Sequence, residues 1–367
     1  MINRLSARLD WGLLVPAFTL SIIGLIVLFS INLKVDSLLL DFSPWNQLVY
    51  VILGIIIMLL ISRIEVGQYA RYSGWLYVVS LILLASVFGF DPVQGSRRWI
   101  DLGFFQFQPA EVMKLAEIML LARLFNRRGK TINKPWVFAL SIIYAAIPAT
   151  LVLLQPDLGT AVVFMFIWLV MISMTTVKKR YLLILALIGL SILPIAYQQL
   201  EPYQQQRVST FLKPSADPQG SGYNSVQATI AIGSGEIYGR GLSGGSQSQL
   251  NFLPEQHTDF VFAVVAEKLG FVGALLVILA LFTLIIRSII IAWKTPDSYS
   301  MYVAVGIASL IAFHSIINLG MNLGLFPVTG IPLPLISYGG THIMLSFVMV
   351  GVLLAISTQR RGLGFSS

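Results

Sequence analysis

The chain of 367 residues contains no cysteine. No disulfide can therefore staple an outward loop, and no thiolate is available as nucleophile or metal ligand. Charge is scarce as well: Asp, Glu, Lys and Arg make up 11% of the residues, and there are three histidines. That scarcity excludes an ordinary soluble domain. The sequence also has no Walker loop, no dinucleotide-binding fingerprint, no His-rich metal spacing and no repeat period. What it has in abundance is hydrophobic residues, 56% of positions, with a mean hydropathy of +0.82.

Apolar runs of roughly 20 residues, the length that crosses a bilayer as a helix, recur along the chain. The fold expected is an all-α polytopic membrane protein forming a single integral membrane domain over 1–367. About ten transmembrane helices are read at 11–32, 46–63, 72–90, 109–125, 136–154, 157–175, 181–198, 260–292, 301–323 and 341–358. The span at 260–292 is long and is expected to enter as a short segment before its main part. Arg4 and Arg8 precede the first span, which lacks a small-residue cleavage site and is read as a retained anchor. With the N-terminus inside, 16 of the 24 Lys and Arg residues fall on the cytoplasmic side and 7 outside, with Lys114 within a span. This satisfies the positive-inside rule and places both termini in the cytoplasm. The net charge of +8 is that bias, so no nucleic-acid partner is implied.

The unusual polar residues gather on the outward side. A large extracytoplasmic loop at 199–258, between spans 7 and 8, is far longer than ordinary connections, and such loops are either functional or disordered. Its Tyr223–Ile232 stretch has the spacing of an amphipathic helix at the outer interface. The loop ends in NFLPEQHTDF, which brings Asp259, with His257 and Thr258 as supporting polar neighbours, to the mouth of a span. An acid in such a place is costly and marks a functional-site candidate; the plain alternative is a helix N-cap.

A second outward loop carries GSRRWI. Arg97 and Arg98 there suit either lipid headgroups or a diphosphate, which guanidinium binds in bidentate fashion. In the fourth span Glu111, Lys114 and Glu117 share one helical face, as an internal clamp or as substrate contacts. Asp157, in QPDLGT, reads as an N-cap or as a partner for Lys114 or an arginine. The Pro- and Gly-rich outer loop at 325–340 cannot be a regular helix. Such backbone at membrane depth must be buried in protein or line a wet cavity, so this loop is expected to re-enter before span 10. Ser337 within it can donate to a ligand or cap the final helix. His314 reads as a hydrogen-bonded core histidine, and His342 has no evident metal partner.

Taken together, GSRRWI, QPAEVMKL, LLQPDLGTA, YNSVQATIAIGSGEIYGRG, FLPEQHTDFVFAVVAEKLG and PVTGIPLPLISYGG, in this order along nearly the whole chain, resemble the SEDS (shape, elongation, division and sporulation) family of bacterial cell-wall proteins. FLPEQHTDF with VTGIPLPLISYGG is more similar to the elongation branch than to the division branch. One departure is Thr341-His342, where the family usually continues with serines. The resemblance implies a glycosyltransferase that polymerises lipid II, with Asp259 as the catalytic aspartate. It also implies functional roles for Arg98, Glu111, Lys114, Asp157, Gln227 and Ser337. A class B penicillin-binding protein transpeptidase is the implied partner, along with other membrane proteins of the elongation complex.

In that reaction a sugar C4 hydroxyl attacks the anomeric carbon of a lipid-diphosphate donor. Asp259 is suited to take the proton. Arg98, with Arg97 or Lys114, is suited to stabilise the leaving diphosphate. No cofactor is fixed by the residues; a divalent cation is compatible with the chemistry, but no ligand set for one is visible. The competing readings are a lipid II flippase or other transporter and a noncatalytic scaffold.

Overall fold

A computed structural model describes residues 10–32, 43–91, 97–103, 105–198, 202–212, 221–250 and 252–363. Several positions lie outside the described residues: Arg4, Arg8, Gly95 and Ser96 of GSRRWI, and, among the polar residues of the long loop, Glu201, Lys213, Asp217, Gly220 and Asn251.

Helices dominate. In chain order they are α1 (Trp11–Ile31), α2 (Pro44–Ile61), α3 (Val66–Ser86), α4 (Pro109–Arg128), α5 (Pro135–Leu153), α6 (Leu158–Ser173), α7 (Lys179–Gln198), α8 (Pro202–Leu212), α9 (Ser221–Ser234), α10 (Ser246–Gln249), α11 (Val261–Lys294), α12 (Ser298–Asn322) and α13 (Gly340–Leu363). Between α3 and α4 a two-stranded antiparallel hairpin pairs β1 (Ile100–Asp101) with β2 (Gln106–Phe107), Ile100 facing Phe107. Each of the ten expected spans has its helix, and among the described residues seven are long and apolar enough to cross a membrane. α4, α6 and α7 fall outside that set. α4 carries Glu111, Lys114 and Glu117, and α6 has only 16 residues.

Local chemistry sets the helix starts. Pro44, Pro109 and Pro135 each occupy a first-turn position, where the missing N–H costs nothing. Asp157 and Asp297 cap α6 and α12 by accepting from the N–H three residues on. α13 is the most enclosed span, with 89% of its apolar window buried against 28% for α3, so it forms the bundle's axis. It packs on α2, while α11 packs on α12 and α1, and α3 on α4. On the outward-facing side of α11, Phe271, Val272, Leu275, Leu279 and Phe282 are exposed, as expected of a surface solvated by lipid.

α11 is broken at Gly270, whose φ of 66° is left-handed. A break within a span strands backbone groups that lipid cannot satisfy. Here the glycine-rich segment after α9 satisfies them: Phe271 N and Val272 N donate to the Glu236 and Ile237 carbonyls, while Arg240 N and Gly241 N donate to the Glu267 and Lys268 carbonyls. The approach is so close that a Cβ on Gly270 would collide with the Gly239 backbone nitrogen. Glu267 and Lys268 pin the same strap from below. The Glu267 carboxylate accepts from Gln247 N and Ser248 N at 2.9 and 3.0 Å, capping α10, and Lys268 Nζ donates to the Leu242 and Gly244 carbonyls.

The long loop is thus built, not loose, over its described residues. The expected helix at Tyr223–Ile232 is α9. Ala228 and Ala231 on it are buried and it packs against α11, while Val226 and Ile230 face outward. α8, which carries Arg207, was not expected from its polar, glutamine-rich sequence. The 325–340 loop is non-helical and largely buried, with Leu333, Leu335, Ile336 and Ser337 at or near zero exposure.

Candidate active site

Asp259 lies two residues before the start of α11, on a turn whose Thr258, Asp259 and Phe260 N–H groups all converge on the Glu255 carbonyl. The three carbonyls leading out of that turn are each fixed by another part of the chain. His257 O accepts from Tyr338 N at 2.9 Å, and Thr258 O accepts from the Ser337 hydroxyl at 2.6 Å. Asp259 O accepts from the side-chain amides of Asn318 and Asn322, both at 3.0 Å. Asn318 also donates to Ile331 O, and Asn322 Oδ1 accepts from Ala263 N. Gln47, buried on α2, clamps the far end of the loop by donating to Ser337 O and accepting from Gly339 N. The backbone under the Asp259 carboxylate is therefore pre-organised, as a reacting group requires. A Cβ on Gly330 would lie 3.6 Å from Asp259 Oδ2, so loop backbone abuts the carboxylate.

Cationic groups stand nearby. Arg98 donates from Nη2 to Pro156 O at 2.8 Å and from Nε to Gln155 O, and its Nη1 lies 3.6 Å from Asp157 Oδ2. Asp157 therefore fills both roles considered for it, capping α6 through Thr160 and pairing with Arg98. Arg207 donates from Nη1 to Val328 O at 3.2 Å. Arg98, Asp157, Gln204, Arg207 and Thr329 supply the polar lining of a cavity of about 180 Å³, whose remaining wall is apolar side chains of α6, α8, α12 and the 325–340 loop. Asp259 feels this charge. Its carboxyl is pushed up to about 7, first by burial and then by Glu255; Arg207 pulls it down, Asp157 pushes it up and Arg98 pulls it down. The side chain keeps partial contact with solvent.

A second polar cluster is wholly buried. Lys114 Nζ donates to Glu111 Oε1 at 2.6 Å and lies 3.2 Å from His314 Nε2. An ammonium has no acceptor, so that ring nitrogen must accept and His314 Nδ1 must carry the proton. Nδ1 accordingly donates to Pro332 O at 3.2 Å. His342 Nδ1 lies 3.2 Å from Glu111 Oε2, and the two imidazoles stack with centroids 5.7 Å apart. The Thr341 hydroxyl ties β2 to α13 by donating to Gln106 O and accepting from Gln108 N. Of the Thr341-His342 departure, the Thr341 hydroxyl and His342 Nδ1 are engaged in the local hydrogen bonding, while His342 Nε2 is buried without a hydrogen-bond partner.

Several expected substrate contacts are placed elsewhere. Lys114 does not line the Arg98 cavity and is held inside by Glu111 and His314. Ser337 has zero exposure, and its hydroxyl is engaged by Thr258 O and Leu333 N. Arg97 is exposed on the surface, and Gln227 is half-buried on α9; neither lines that cavity. Residues not anticipated are Arg207, Gln47, Asn318 and Asn322. The two asparagines stand four apart within an apolar span, and that spacing was the available signal.

The cavity lined by Arg98 and Arg207 is a poor cradle for a protein-held divalent cation, since its one carboxylate, Asp157, already serves Thr160 and Arg98. Among the described residues no group of three or more His, Cys, Asp or Glu side chains is placed to hold a metal.

The profile of the FtsW/RodA/SpoVE family, described as cell cycle protein, matches residues 11–362. The chain belongs to that family. Among its family relatives, stage V sporulation protein E of Bacillus subtilis (strain 168) is 38% identical over 96% of this chain and 98% of that protein. Peptidoglycan glycosyltransferase MrdB of Escherichia coli (strain K12) is 37% identical over 86% of this chain and 85% of its own length. A chain solved in work on polymerization and crosslinking by a peptidoglycan synthase complex superposes with a TM-score of 0.81 at 33% identity, covering 98% of this chain and 99% of that one. Thermus thermophilus Rod shape determining protein RodA superposes with a TM-score of 0.71 at 29% identity, covering 96% of this chain and 97% of RodA. Within the FtsW/RodA/SpoVE family the chain is thus a RodA-like, multi-pass, all-α membrane protein.

Proposed function

We propose that this peptidoglycan glycosyltransferase polymerises lipid II into β-1,4-linked glycan strands during cell elongation, with Asp259 as general base. The observation that carries the reading is a rigidly framed carboxylate with its proton affinity raised to about 7, set beside guanidinium-lined space at the mouth of a span. Asp259 takes the proton of the acceptor C4 hydroxyl as its oxygen bonds to the donor's anomeric carbon. The bond from that carbon to the diphosphate oxygen breaks, and its electron pair leaves with the diphosphate, facing the positive charge of Arg98. Because the donor bond is α and the product bond β, a single displacement inverts the centre, and no covalent enzyme intermediate is needed. Ser337, Thr258, His257, Asn318 and Asn322 act by positioning Asp259. Glu111 and Lys114 hold the loop behind it through His314.

A base must be deprotonated to act, so polymerisation should rise with pH through a midpoint near the Asp259 value of about 7 and level off above it. Glu255→Gln removes a negative neighbour that raises this value, and the midpoint should move to lower pH. A rate flat from pH 5 to 9, or a midpoint unmoved by Glu255→Gln, contradicts the assignment.

The reading places the protein in the bacterial cytoplasmic membrane with both termini inside and Asp259 outside, supported by the basic inner ends of α4 and α11 and the direction of each helix. Exposed Ser246 offers a handle in this cysteine-free chain. Ser246→Cys should react with an impermeant maleimide added outside intact spheroplasts; labelling only after lysis reverses the orientation. The partner is a class B penicillin-binding protein transpeptidase, which would cross-link the strands, among other membrane proteins of the elongation complex.

A further inference from the structure

We infer that Arg207 on α8 is the second arm of a diphosphate clamp with Arg98, and that their cavity is the seat of the donor's leaving group and the first part of its prenyl chain. This rests on the glycosyltransferase reading and assigns one side of the site to the donor.

The cavity has two chemistries in one space. Arg98, from the segment before β1, and Arg207, from the long loop, bring two guanidiniums from separate elements, and each also acts electrostatically on Asp259. Its other wall is Val162 on α6, Val208 on α8, and Phe313 and Ile317 on α12. α12 is a membrane span, so this wall continues the hydrocarbon region. A ligand matching both halves has an anionic head joined directly to a hydrocarbon tail. A lipid II acceptor carries the same head and tail, so what separates donor from acceptor is the charge that develops on the leaving group.

Charge bookkeeping favours the leaving group as the head. When the glycosidic carbon–oxygen bond breaks, the electron pair stays on the diphosphate and adds one negative charge, while the acceptor's proton goes to Asp259. The greatest gain in negative charge therefore falls where fixed positive charge is needed, and a second guanidinium on the leaving side helps the transition state more than the ground state. Arg98 is already partly committed, to two carbonyls and Asp157. Arg207 supplies positive charge from an element anchored to the same loop that abuts Asp259, through Val328 O. A phospholipid phosphate shares this chemistry at lower charge, so the decisive contrast is diphosphate against monophosphate.

The test uses the full chain in nanodiscs of zwitterionic lipid. Displacement of a fluorescent farnesyl diphosphate is measured with unlabelled farnesyl diphosphate, farnesyl monophosphate and phosphatidylglycerol as competitors. The wild type should prefer the diphosphate to both monophosphates. Arg207→Gln should weaken diphosphate binding ~10–100-fold, the range for losing one charged hydrogen-bonded contact, and leave monophosphate binding nearly unchanged. Arg207→Lys, which keeps the charge and guards against a folding defect in the glutamine variant, should fall between. A wild type without diphosphate preference, or a preference fully retained in Arg207→Gln or Arg207→Lys, overturns the inference. Preferential displacement by phosphatidylglycerol overturns it too, making the cavity a lipid-headgroup site. Polymer formation on the same preparation separates the two levels: strands from the wild type with an undiminished preference in the variants sink this inference alone, whereas no strands sink the function it rests on.

Discussion

Asp259→Asn should abolish glycan polymerisation while leaving the fold, lipid II binding and transpeptidase association intact. Asparagine is nearly isosteric and about as good a helix cap as aspartate, so a purely structural Asp259 would tolerate the change almost silently. The frame would survive it, because Asn318, Asn322, Ser337 and Tyr338 hold backbone carbonyls of this turn and not the carboxylate. What is lost is a group able to take the acceptor's proton, and general-base catalysis contributes ~10²–10⁴-fold. Strand synthesis measured on a gel should fall by at least ~10²-fold with an unchanged thermal unfolding midpoint. Near-normal strands would remove Asp259 as the base and shift attention to Asp157.

The second large effect concerns the buried cluster. Glu111 and Lys114 are 3% and 1% exposed and share a 2.6 Å contact, and stranding one member of a buried pair costs ~3–5 kcal/mol. The two single changes should not be equal. Lys114→Ala leaves Glu111 with His342, whereas Glu111→Ala leaves the ammonium facing His314, which in the proton arrangement derived above is neutral. Glu111→Ala should therefore lose more folded yield than Lys114→Ala, and the double change should cost less than the sum of the two. Activity should follow, since His314 holds Pro332 O in the loop behind Asp259. Equal single effects that simply add would show that the cluster is not coupled.

Much of this was legible in the sequence because a bilayer imposes a simple rule on it. Runs of the right length and polarity gave the spans, and the positions of Asp259, Arg98 and Asp157 stood out as polar groups at span mouths. Arg207 did not stand out, because it sits in a polar helix where any arginine looks solvated; only the fold turns it toward Arg98. His342 was legible as a departure but not as a contact, since its partner Glu111 is 231 residues away. Ser337 read as a donor to a ligand or a cap of the final helix because its loop was expected to re-enter and line a cavity; the loop does fold inward, but it uses that hydroxyl on Thr258. The purpose of the glycine-rich run at 239–245 was not legible in the sequence. Its task of completing the hydrogen bonds of a helix broken at Gly270 exists only where two distant segments meet.

The central claim is catalysis itself, and the most direct measurement gives the purified full-length chain fluorescent lipid II in proteoliposomes, with and without its transpeptidase, and follows both polymer length and transfer of lipid II between leaflets. The account predicts glycan strands from the wild-type chain, more of them with the transpeptidase present, and none from Asp259→Asn. Lipid II crossing the bilayer with no strand formed would contradict it and make the protein a transporter.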